Sequence, residues 1–341
     1  MNDIFVENRS ERNCSDRENM IRVIFMGTPD FAVGTLEALV QAGYEVVLAV
    51  TQPDKPQGRK QVLVAPPVKE KALELGIPVF QPKRVREPES MRVLKDYEPE
   101  LIVVAAFGQI LPKELLDLPK YGCINVHASL LPKYRGAAPI QWAILNNDEV
   151  TGVTIQRMAI GVDTGDIISK AEVKIEPKET GGMLFDRLAE VGARLCVETI
   201  PSIVDGTAVY TPQDESAATK VGMIKKQDGL IDFSRSAKEI ECQVRGLNPW
   251  PSAYTSFAGK TLKIWAADVC EDTGMIDVKQ ASGGASIAVG TVVFIKKDSF
   301  GVQTGDGILV CKEVQLEGKK RMAAGDFLRG NSIEVGTVLG E

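Results

Sequence analysis

The scarcest residue is the most restrictive. The 341-residue chain holds one histidine, His127. A zinc site built on two or more imidazoles is excluded, and any reaction that needs a histidine must use this one. Six cysteines, at 14, 123, 196, 242, 270 and 311, include no C-x-x-C pair and no clustered framework, which points to free thiols in a reducing, cytoplasmic setting. No apolar run approaches the ~20 residues of a membrane helix, so no membrane partner is expected. Positive charge is in deficit: 40 Lys and Arg stand against 46 Asp and Glu, a net charge of −6. That excludes a uniformly basic nucleic-acid binder and leaves room for local basic patches. Nucleotide signatures are missing too. The first strand runs into Gly27-Thr28-Pro29-Asp30-Phe31-Ala32-Val33-Gly34, which is not G-x-G-x-x-G, and no G-x-x-x-x-G-K-[ST] occurs. A dinucleotide dehydrogenase or a P-loop enzyme is poorly supported.

What is present is an ordinary globular balance, 44% apolar and 25% charged, over a length that suits two domains. Residues 2–19 carry three arginines and five acids without an apolar h-region, so they are no signal peptide; a disordered extension over 1–20 is expected, with Met20 an alternative start. From Ile21 short apolar runs alternate with helical spacing. Strands are expected at Arg22–Met26, Tyr44–Val50, Val79-Phe80, Leu101–Ala105 and Cys123–Val126, and helices after Phe31, over Val68–Leu75 and over Pro88–Lys95. A strand pair at Val153–Met158 and Ile167–Lys174 and a long helix over Gly182–Thr199 follow. This alternation predicts an α/β fold, a Rossmann-like doubly wound parallel sheet, over 21–205. The turn-rich stretch 206–221 reads as a linker. Beyond it, over 222–337, a helix near Ala237–Val244 and short strands such as Leu262–Trp265, Ala288–Ile295 and Ile308–Val314 predict a small OB-like β-barrel.

Asn125-Val126-His127 lies at the carboxyl end of a buried strand, where open parallel sheets bind ligands. Strand alternation puts Asn125 and His127 on one face. An amide donor beside an imidazole suits chemistry at a carbonyl, one holding a developing oxyanion while the other moves protons. Taken alone, the pair is more simply a buried histidine satisfied by backbone groups. The next segment, Ser129 to Gln141, contains two prolines and a glycine and could wall a pocket or merely connect strand to helix. Asp163-Thr164-Gly165-Asp166 is a turn. Asp163 either caps backbone there or stands near His127, orienting the ring and favouring its charged form. Asp163 and Asp166 lack further ligands at metal spacing, so no metal is expected.

These residues resemble a known family. Gly122–Gln141 (GCINVHASLLPKYRGAAPIQ) with Asp163–Asp166 is similar to the folate-dependent formyltransferases. Gly27–Ala32 (GTPDFA), Gln52–Lys60 (QPDKPQGRK), Asn248-Pro249-Trp250-Pro251 and Lys320–Gly330 (KRMAAGDFLRG) bring the likeness closest to those that act on methionyl-tRNA. It extends over residues 21–337. The resemblance implies a one-carbon transferase that moves the formyl group of 10-formyltetrahydrofolate to the α-amine of initiator methionyl-tRNA, for translation initiation. It implies Asn125, His127 and Asp163 as the catalytic set. It implies Phe107, Gly108, Ile110, Leu111, Ser129, Leu130, Leu131 and Pro132 as walls of the folate site. Lys55, Arg59 and Lys60 fall in the loop that, in the family, meets the acceptor end of the tRNA. No metal and no stable protein partner are implied. A folate formyltransferase acting on an amino-sugar nucleotide would share the Asn/His/Asp set and have similar length. A catalytically silent RNA binder of the same fold is the other alternative.

Overall fold

The uninterrupted apolar runs become the buried centre of a sheet. The computed structural model describes residues 20–57, 61–270 and 287–340. Of the expected extension over 1–20, all but Met20 lies outside the described residues, as do Arg59 and Lys60. Strands β1 (Arg22–Gly27), β2 (Glu45–Val50), β3 (Val79–Phe80), β4 (Leu101–Ala105), β5 (Cys123–His127), β6 (Val150–Arg157) and β7 (Ile167–Lys174) form one sheet in the order β7-β6-β5-β4-β1-β2-β3. The five strands β1 to β5 pair in parallel, in the doubly wound order 3-2-1-4-5. All five residues of β4 and of β5 are buried, as strands covered on both faces should be. β6 then runs antiparallel to β5, placing Gln156 opposite Asn125 and Thr154 opposite His127.

Helices alternate with the strands along the chain, as the spacing predicts. α1 (Asp30–Gln41) buries Phe31, Ala32, Thr35, Leu36 and Leu39. α2 (Pro67–Glu74) and α3 (Pro88–Asp96) each start on a proline, which has no N–H to leave unpaired there. α4 (Lys113–Leu116) is a single turn, and α5 (Pro139–Leu145) follows the loop after β5. α6 (Gly181–Val204) runs one turn past the expected end, and its Phe185 meets Phe31 of α1 edge to face with ring centroids 5.5 Å apart. No helix among the described residues is long and apolar enough to cross a membrane.

The chain divides into two compact units. The first takes the residues up to Gly136, Thr151–Lys174 and Phe185–Val221; the second takes Ala137–Val150, Ile175–Leu184 and the chain from Gly222. The stretch expected as a linker, 206–221, is therefore bound along the first unit. Thr211 pairs with Ile167 of β7, and Lys220–Val221 forms a short parallel bridge with Arg135–Gly136. Gln213, Glu215 and Thr219 spend hydrogen bonds on neighbouring loops, while Asp214 and Ser216 bond to each other within the stretch.

In the second unit, α7 (Ala237–Gly246) begins with a reciprocal cap. Ser236 Oγ accepts the Glu239 N–H at 3.2 Å, and the Glu239 carboxylate accepts the Ser236 N–H at 3.0 Å. Strands β8 (Ala253–Phe257), β9 (Lys260–Cys270), β10 (Val292–Ile295), β11 (Phe300–Gln303) and β12 (Ile308–Leu316) form an antiparallel sheet in the order β8-β9-β12-β11-β10, with β13 (Met322–Ala323) beside β12. Irregular pairing near Ala266 bends β9, as bulges do. Ile240 and Val244 of α7 pack with Leu262, Ile264, Phe300, Leu309 and Phe327, the last from α8 (Ala324–Gly330).

Candidate active site

The chain order reverses between β1 and β4, so the crevice beyond the carboxyl ends of β1, β4 and β5 is where this architecture receives ligands. Asn125 and His127 end β5 and are nearly buried, 8% and 6% exposed. Asp163 stands in the β6–β7 loop in the left-handed region, at φ 53°. Its Oδ1 accepts Nδ2 of Asn125 at 3.3 Å and Nε2 of Gln156 at 2.8 Å, and lies 3.6 Å from Nδ1 of His127. Its Oδ2 accepts the Gly136 N–H at 2.9 Å. The three residues singled out from sequence thus meet at one carboxylate.

The histidine is held from behind. Its Nε2 lies 3.0 Å from the carbonyl oxygen of Tyr134. A carbonyl only accepts, so Nε2 keeps its hydrogen. Nδ1, on the Asp163 side, is the nitrogen left to take or give a proton.

Neighbouring residues lock the loops that carry these groups. Thr154, opposite His127, donates from Oγ1 to the Ser129 carbonyl at 2.7 Å and accepts the Leu131 N–H at 3.1 Å. Ser129 Oγ donates to the Lys133 carbonyl at 2.6 Å. The Leu131-Pro132 peptide is cis. Gly136 has φ 107°, and a Cβ there would stand 2.4 Å from the Val221 carbonyl oxygen. Only glycine brings this N–H to Asp163. A Cβ on Gly165 would meet the Arg157 carbonyl oxygen at 1.7 Å, so the turn after Asp163 demands glycine as well.

Sequence reasoning missed a second layer. Gln213 Nε2 donates to the carbonyl oxygens of Asp163 at 2.9 Å and Gly165 at 2.7 Å, while its Oε1 accepts from Arg135 Nε at 2.9 Å. Glu215 pairs with the guanidinium of Arg135. No local pattern announces these contacts, which join residues 48 to 80 positions apart.

The residues expected around folate separate into two kinds. Phe107 and Leu111 send their side chains into the core formed with Ile24, Met26 and Val104, and Ser129 and Leu131 are wholly buried. Phe107 offers its carbonyl instead, which accepts from Gln52 Nε2 at 3.1 Å and Thr28 Oγ1 at 3.3 Å. Gly108 and Ile110 are exposed, Ile110 at 77%, and Leu130 and Pro132 are half-buried. Open apolar surface here comes from Ile110, Leu130 and Pro132. Lys55 is exposed on a two-stranded ribbon of Lys55–Gln57 and Val62–Val64. Among the described residues no group of three or more His, Cys, Asp and Glu side chains is placed to hold a metal. Burial pushes the Cys123 and Cys196 thiols up to about 12, which removes them as nucleophiles.

Residues 20–200 match the family described as formyl transferase, and residues 223–332 match the formyl transferase C-terminal domain. The methionyl-tRNA formyltransferase of Agathobacter rectalis is 56% identical over 317 residues, spanning 93% of this chain and 99% of that protein. That of Bacillus subtilis is 51% identical over 322 residues, spanning 94% and 98%. The crystal structure of an N-formyltransferase from Helicobacter canadensis, in complex with folinic acid and dTDP-3-aminofucose, superposes with a TM-score of 0.60 at 19% identity, covering 86% of this chain and 99% of that one. At that identity the likeness concerns the fold alone. Identity above one half along nearly the full length of both curated relatives is a stronger tie, and by it the chain belongs to the formyl transferase family, in its methionyl-tRNA formyltransferase branch.

Proposed function

We propose that the protein transfers the formyl group of 10-formyltetrahydrofolate to the α-amine of initiator methionyl-tRNA, giving N-formylmethionyl-tRNA in the cytoplasm. The observation that carries this reading is the convergence of Asn125, His127 and Asp163 at the carboxyl end of β5. The names of the relatives at 51% and 56% identity support the acceptor.

The amine nitrogen attacks the formyl carbon, and the carbonyl electron pair moves to oxygen. Asn125 Nδ2 has two hydrogens; one meets Asp163, and the other is available to the new oxyanion. Such a donor contributes about 3–4 kcal/mol in comparable sites. His127 Nδ1 is the proton carrier, taking a proton from the attacking nitrogen, directly or through water, or donating to the oxyanion when protonated. Collapse breaks the bond from carbon to N10, which leaves with the electron pair and gains a proton, so the amide and tetrahydrofolate balance. Asp163 holds the imidazole and Asn125 in register. The formyl carbon is already activated on the folate, so the chemistry requires no metal.

Ile110, Leu130 and Pro132 are assigned to the pterin-bearing wall. Lys55, Arg59 and Lys60 are assigned to tRNA, together with basic residues of the second unit such as Lys225, Lys226, Lys296, Lys297 and Lys319–Arg321. The test is a transfer assay with formyl-folate and three acceptors: methionyl-tRNA, an amino-sugar nucleotide and glycinamide ribonucleotide. Transfer to methionyl-tRNA alone supports the reading. Preference for the sugar nucleotide overturns it.

A further inference from the structure

Asn125 and Gln156 face each other across the antiparallel pairing of β5 and β6. Both amides donate to Oδ1 of Asp163, Gln156 from 2.8 Å and Asn125 from 3.3 Å. A carboxylate only accepts, which fixes the Gln156 amide with Nε2 toward Asp163. Its Oε1 is then left with no hydrogen-bond partner, although the residue is 2% exposed. An apolar side chain of similar length would fill the position without stranding an acceptor. Packing therefore does not explain a glutamine here; the contact that calls for an amide is the one to Asp163.

We propose that Gln156 is a positioning residue for the transfer reaction, acting through Asp163. The inference rests on the roles given above to Asn125, His127 and Asp163. Gly136 holds Oδ2, and Gln156 makes the shorter contact to Oδ1. With Oδ1 pinned by Gln156, the carboxylate stays beside His127 Nδ1, and Asn125 can turn its second N–H to the formyl oxygen. Without Gln156, Asn125 would be the remaining amide on Oδ1, at the longer 3.3 Å.

The test is Gln156→Met in the full-length protein, with kcat, both KM values and Tm measured. Loss of one hydrogen bond to a charged group should lower kcat about tenfold. KM for formyl-folate should stay within about twofold, because ground-state binding is not the interaction removed. Tm should stay near the wild-type value, because removal of the stranded acceptor offsets the hydrogen bond lost to Asp163. Gln156→Glu keeps the shape but turns a donor into an acceptor facing Asp163, so it should lose at least as much kcat. In an Asp163→Asn background, Gln156→Met should add little further loss, since its route of action is already cut. Wild-type kcat in either variant overturns the proposal. So does a kcat loss accompanied by a lowered Tm or failure to fold, which would make Gln156 a structural residue, and so does full additivity with Asp163→Asn. A wild-type protein inactive toward methionyl-tRNA would be seen before any variant and would overturn the proposed function instead.

Discussion

The guanidinium of Arg135, its side chain 2% exposed, is gripped at both ends by Glu215, eighty residues later, with Nη1–Oε2 at 2.9 Å and Nη2–Oε1 at 2.7 Å. Glu215 itself is largely exposed, so the pair is a clasp at the surface over a buried cation. Because Arg135 Nε also holds Gln213, which holds the Asp163 and Gly165 carbonyls, the clasp fastens the turn that carries Asp163. The hydrogen bonds from Arg135 hold the Glu215 carboxyl below its ordinary value of 4.5. A carboxyl depressed in the folded state stabilises the fold fully above its unfolded value, and the contribution fades as pH falls through the lower folded value. Glu215→Gln should therefore lower Tm and kcat at pH 7, and its Tm deficit should shrink as pH drops below 4.5. Thermal melts of both proteins across that range check it; a deficit that stays constant with pH would mean the charge is irrelevant.

Removal of the reacting groups should separate chemistry from binding. His127→Ala should abolish detectable transfer, since no other histidine exists to replace it. Asn125→Ala should slow the chemical step by about 10²–10³-fold, as loss of an oxyanion donor does. Single-turnover rates and folate titration are the measurements. Formyl-folate affinity should survive both changes, because neither side chain is assigned to the folate wall.

The part of this site written in local pattern was legible in the sequence. Two-residue alternation on β5 pairs Asn125 with His127, and a turn-forming Asp-Thr-Gly-Asp places a carboxylate after the next strand. Its partners were not legible. Gln213 and Glu215 sit in a polar stretch whose composition is that of a linker, and only the tertiary fold lays it against Arg135 and Asp163. Gln156 reads as one polar residue in a strand; register alone sets it opposite Asn125. The segment expected to wall the folate site was legible only as a motif. Phe107 and Leu111 stand in a matching motif, but their side chains pack inward, so only a structure tells wall from foundation.

Thiol chemistry offers a check on the interior. Burial drives Cys123 and Cys196 to about 12 and raises Cys311 further still. At pH 8 almost none of each is thiolate, and the sulfur is enclosed. An alkylating reagent applied to the native protein at pH 8 should leave these three unmodified in peptide mapping, and denaturant should expose all three. Rapid native labelling of Cys123 would mean that β5, which it begins, opens readily in solution.

Arg59 tests the division between folate and tRNA. It lies among Lys55, Pro56, Gly58 and Lys60, a segment rich in turn formers and positive charge in a chain of net charge −6. If its guanidinium meets a phosphate, Arg59→Ala should lower kcat/KM for methionyl-tRNA while KM for formyl-folate is unchanged. One lost phosphate contact should also flatten the dependence of log affinity on log salt by about 0.7–0.9, the counterion release of one charge. Titration of tRNA binding between low and moderate salt measures that slope directly. A variant with the wild-type slope and unaltered turnover would place Arg59 away from the nucleic acid.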